Sequence, residues 1–81
     1  MKVVIVSVVG GWQFVGVLED SHQLTTLSKC KNIHEWGTER GLGELVNGPT
    51  DKTVLFDVGR ITIPTTSIQF WIDCKDEAWN L

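Results

Sequence analysis

The chain has 81 residues, four tryptophans, no tyrosine, two cysteines, two histidines and a formal net charge of −3. That length supports one domain with a core near the lower size limit, and the acidic balance argues against a general DNA- or RNA-binding protein, which would show a basic field. Cys30 and Cys74 stand far apart and in no zinc spacing, and His22 and His34 complete no ligand set, so no metal, disulfide or cofactor is expected to supplement the core.

No run approaches the length of a membrane-spanning helix. The opening V-V-I-V-S-V-V-G, interrupted by Ser7, is too short for a secretory h-region, which predicts a cytosolic protein with reduced thiols.

Lys2 to Val9 reads as a strand rich in β-branched residues. Val3, Ile5, Ser7 and Val9 form one face and Val4, Val6 and Val8 the other. Burial of both faces predicts a barrel covered by a helix, or a sheet covered by another subunit with Val3 and Ile5 at the contact. Gly10-Gly11 signals a two-residue hairpin, and Trp12 to Leu18 is the return strand. Gly16 within it marks a bulge, a bend or a close backbone approach. After the polar turn Glu19 to His22, Gln23 to Ile33 is a third strand. It alternates Leu24, Thr26, Ser28, Cys30 against Thr25, Leu27, Lys29, Lys31.

The stretch Lys29 to Pro49 is the one part that reads as neither strand nor hairpin throughout. Thr38 is a candidate N-cap for one short helix near residues 39–47. Gly41 and Gly43 cost that helix about 1 kcal/mol each relative to alanine, so it stands by packing Leu42, Leu45 and Val46 on a sheet. Gly48-Pro49 stops it. Thr53 to Ile63 is a strand bulged at Gly59 and ended by Pro64, and Ser67 to Asp73 is the last strand. Residues 1–75 form the domain and 76–81 a polar tail carrying Trp79. The order β-β-β-α-β-β predicts a mostly β, five-strand barrel or curled sheet, OB-like or SH3-like, that completes itself as a homo-oligomer.

No nucleophile elbow, phosphate loop or dinucleotide fingerprint occurs, and no acid–base set converges, so a non-enzyme is expected. The best candidate ligand surface gathers Lys31, His34, Trp36, Gly37, Thr38 and Arg40. Trp36 offers a stacking plane, and Gly37 permits close backbone approach. The Thr38 hydroxyl and the amides that follow it favour an anion, and Arg40 can fork onto a phosphate. Trp12 or Arg60, of the same or a neighbouring subunit, would complete the site. The competing reading is that Trp36 packs over the end of the barrel. Trp71 and Trp79 are expected at a subunit contact.

Trp36, Gly37, Thr38, Gly41, Leu42, Leu45 and Gly48 follow the pattern W, small, small, x, x, small, L, x, x, L, then a small residue. F-V-G-V-L-E, Phe14 to Glu19, and R-I-T-I-P, Arg60 to Pro64, flank it. Together these segments resemble a family of small phage-encoded proteins of unknown function. Gly37 and Gly41 stand where that family more often has serine. The resemblance implies a tailed-phage accessory protein acting in the cytoplasm of the infected bacterium. Small, acidic, non-catalytic phage proteins include sponges, which sequester nucleotide second messengers of antiviral signalling. The implied partner is such a nucleotide, with a small module binding single-stranded nucleic acid or a host protein as the alternative.

Overall fold

The computed structural model describes residues 1–81. Five strands are formed by β1 (Val3–Val8), β2 (Trp12–Ser21), β3 (Leu24–Glu35), β4 (Val54–Pro64) and β5 (Ile68–Asp73). They make one antiparallel sheet in the order β4-β3-β2-β1-β5. β1 to β4 form a meander, and β5 returns to the free side of β1, as the last strand of a Greek key does. β4 and β5 are therefore the two edges and do not pair, so the sheet is not closed into a barrel.

It is nevertheless curled. Four residue steps separate Pro64 on β4 from Ile68 on β5 and reach at most about 14 Å. In a flat sheet those edges would lie four strand spacings apart, about 19 Å. The bend runs across β2, β3 and β4 where the register slips, at Gly16, Lys29 and Gly59. A Cβ on Gly16 would meet Leu27 Cβ and the Ser28 carbonyl at 3.1 Å, tight enough that these neighbours would have to give way. Lys29 takes a left-handed φ of 49°. This bulge breaks the regular alternation expected for β3: Thr25 and Leu27 point inward, then Cys30 and Ile33.

Curling answers the problem posed by β1. Val3 and Ile5 pack with Val15, Val17, Ile33, Leu42, Leu45 and Trp79 in one core. Val4 and Val6 pack with Phe14, Leu27, Cys30 and Ile63 in a second. One chain thus covers both faces of β1. Val3 and Ile5 are wholly buried within it, which corrects their placement at a subunit contact.

The first core has two lids. One is a 3-10 helix, Leu42–Asn47, preceded by Gly41 with no side-chain cap. It replaces the helix expected at 39–47 with Thr38 as N-cap, because six residues containing Gly43 cannot sustain α-helical turns alone. The other is α1 (Asp76–Trp79), a single turn in the polar tail. The Trp79 indole is 4% exposed, and its Nε1 donates to the Leu45 carbonyl at 2.8 Å. Asp76 Oδ1 accepts from the Val3 amide at 2.7 Å. Trp79 therefore docks on its own chain and not on a neighbour. The β1–β2 connection holds three residues, Val9 to Gly11, because Val8 pairs with Trp12, and not the two expected.

Candidate functional site

The corner between β3 and the 3-10 helix is built by two threonines. Thr53 Oγ1 donates to the Trp36 carbonyl and Thr50 Oγ1 to the Gly37 carbonyl, each at 2.7 Å. The Thr50 amide in turn donates to Thr53 Oγ1 at 2.8 Å. This latch draws residues 50–53 so close that a methyl on Gly37 would overlap the Lys52 carbonyl, and Gly37 holds a φ of 66°. Gly37 permits close approach as expected, but the approaching backbone belongs to the same chain.

The amides expected to receive an anion are already engaged. Glu44 Oε2 accepts from the Glu39 amide at 3.1 Å and from the Arg40 amide at 2.9 Å. A cleft of about 300 Å³ opens there, lined by Gly37, Thr38, Glu39, Glu44, Asp51 and Lys52 among others. Three carboxylates border it, so a phosphate meets repulsion where the sequence pointed to attraction. Trp36 is exposed beside this corner, as is Arg40.

A second surface draws other predicted residues together. Directly opposed residues of neighbouring strands share a face. The register sets Trp71 opposite Val6, Val6 opposite Phe14, Phe14 opposite Asn32, and Asn32 opposite Phe56. One row on one face thus crosses all five strands. Trp12, two residues from Phe14, stacks on it with ring planes 9° apart and centroids 6.3 Å apart. His34, two residues from Asn32, meets Phe56 edge-on at 5.3 Å. Trp12 and Phe56 are each 55% exposed. The half-buried Asn32 sits between these two aromatic pairs with an amide that can both donate and accept.

The sequence named Trp12 and His34 but missed Phe14, Asn32 and Phe56. The signal that could have found them is the common parity of Trp12 with Phe14 and of Asn32 with His34 across the β2–β3 hairpin. Lys31 lies on the opposite face, opposed to Val15 of the first core, and is paired with Asp57. With Lys29, Asp57 and Gly59 it lines a cleft of about 420 Å³. Arg60 is exposed on the edge strand β4 and is not part of either cleft's lining. The predicted ligand residues therefore divide among the corner, the aromatic face and the lysine cleft. No three metal-ligating side chains converge, and no helix is long and apolar enough to cross a membrane.

No family model matches the chain, and no curated protein matches it either.

Proposed function

We propose that the protein binds a nucleotide second messenger through its aromatic sheet face and holds it unmodified, sequestering it during phage infection of a bacterium. The observation that carries this reading is the exposed rings of Trp12, His34 and Phe56, backed by the buried Phe14 on which Trp12 stacks, with the half-buried Asn32 at their centre. Rings on a sheet stack bases, because every base has a π-face. A side-chain amide among them can bond bidentately to a base edge, as asparagine does with adenine. The reading prefers this face to the Trp36–Arg40 corner because the Glu39 and Arg40 amides there already donate to Glu44.

A thermal-shift panel of cyclic di- and trinucleotides, with a short oligonucleotide alongside, tests the reading. A cyclic nucleotide is expected to raise the melting temperature and to be recovered intact after denaturation. Trp12→Ala and Phe56→Ala remove exposed rings. Each is expected to weaken binding by about 1–3 kcal/mol, the usual worth of one stacked base, while the melting temperature of the free protein changes little. Wild-type affinity in both variants would place the ligand elsewhere. Salt-sensitive binding of the oligonucleotide alone would make the face a single-strand binder instead.

A further inference from the structure

The two open edges of the sheet are not equally guarded. β4 carries Asp57 and Arg60, is bulged at Gly59 and ends in Pro64, all features that discourage edge pairing. β5 is irregular only at its start, around Gln69. It then runs Phe70-Trp71-Ile72-Asp73, with Phe70 46% and Trp71 38% exposed and no basic residue or proline to protect it.

The backbone of β5 is also poised. The Cys74 amide donates to the Val3 carbonyl at 3.0 Å. Hydrogen-bonding direction alternates along an antiparallel strand, so Ile72 bonds toward β1 as well, and the amides and carbonyls of Trp71 and Asp73 point to the open edge.

We propose that this edge joins two copies of the chain, β5 to β5, antiparallel about a two-fold axis through Trp71. A two-fold axis perpendicular to the sheet keeps each face on its own side, so pairing must set one residue opposite itself. Centred on Trp71, the two tryptophan backbones exchange both hydrogen bonds. Phe70 then lies opposite Ile72 of the second copy, and Asp73 lies opposite Gln69 and not another carboxylate. Centring on Phe70 would draw the irregular Gln69 into the middle of the ladder. Centring on Ile72 would set Trp71 against Asp73. In the Trp71 register the strand is its own complement, ring on ring, ring on isoleucine, and carboxylate opposite amide, which names a second copy as the occupant. The contact stands on the edge of the sheet and is independent of the ligand reading.

Sedimentation and amide exchange test it. Wild-type protein is expected at twice the 9.1 kDa chain mass. Trp71→Lys is expected to be a folded monomer, and Val58→Lys, on the other edge, to remain a dimer. The Trp71 amide of the wild type is expected to exchange slowly in concentrated solution and to quicken on dilution. A wild-type monomer at hundred-micromolar concentration overturns the proposal. So does a dimer that Val58→Lys splits and Trp71→Lys does not. If Trp71→Lys fails to fold, the wild-type Trp71 amide decides: rapid exchange at all concentrations overturns the contact.

Discussion

Gly37 and Cys30 show how single residues answer to their surroundings. Gly37→Ala places a side chain on left-handed backbone, which costs about 1–3 kcal/mol by itself, and drives a methyl into the Lys52 carbonyl held by Thr50 and Thr53. Urea denaturation is expected to show at least that loss. Burial pushes the Cys30 thiol from 9.0 up to about 12, so the folded chain keeps a proton that the unfolded chain gives up near 9. Stability from this group is fully present below about pH 9 and is lost as pH rises toward 12. In Cys30→Ala the fall of unfolding free energy above pH 9 is expected to be shallower than in the wild type, measured as a slope so that any constant packing loss drops out. Gly16 and Gly59 were legible as places where strands bend, because a missing side chain has few other uses inside a strand. The bulge at Lys29 was not legible. Nothing in Lys29-Cys30-Lys31 requires a φ of 49°. It arises beside Gly16 and Gly59, where the sheet folds over.

At the scale of elements, the strands were readable from β-branched runs between turn residues, and the short tail element was not. Asp76-Glu77-Ala78-Trp79 looks like a solvated end, with one large apolar residue that a neighbour could take. It instead forms a turn whose Trp79 closes the first core over Leu42 and Leu45. Trp79→Ala opens a large cavity and removes one of the two donors to the Leu45 carbonyl, leaving only the Gly48 amide. It is expected to cost about 3–5 kcal/mol, the usual range for a buried aromatic cut to alanine, by chemical denaturation. The short helix expected near 39–47 starts later, at Leu42, and winds tighter for a related reason. With Gly41 and Gly43 inside it, only the contacts of Leu42 and Leu45 hold the segment, and they sustain the tighter 3-10 form. The candidate site was partly legible for the same cause. Trp12 and His34 stand out by residue type, but their alignment with Phe56 depends on a register that bulges reset.

For the whole molecule, the two apolar faces of β1 were visible from the first line of the sequence. What covers them was not. A helix over a barrel or a second subunit over a sheet were the expected covers, and within this chain the curl of the sheet supplies one face and the 3-10 helix with α1 the other. The surplus apolar surface consequently lies elsewhere, on Trp12, Trp36, Phe56, Phe70 and Trp71. Exposed rings in this number, on so small a chain, are what binding surfaces look like; Trp12 and Phe56 lie on the sheet face, Phe70 and Trp71 on the β5 edge and Trp36 at the corner after β3.

The Val3 amide and the Asp76 carboxylate that meets it are 73 positions apart. At ordinary translation rates β1 leaves the ribosome roughly 4–15 s before its last partner is made. A Val-Val-Ile-Val segment waits that long with one edge and one face uncovered. The native state is thus dominated by distant pairings, the class that folds slowly. Nascent chains are therefore exposed to misassembly until Asp76 to Trp79 have emerged and closed the first core.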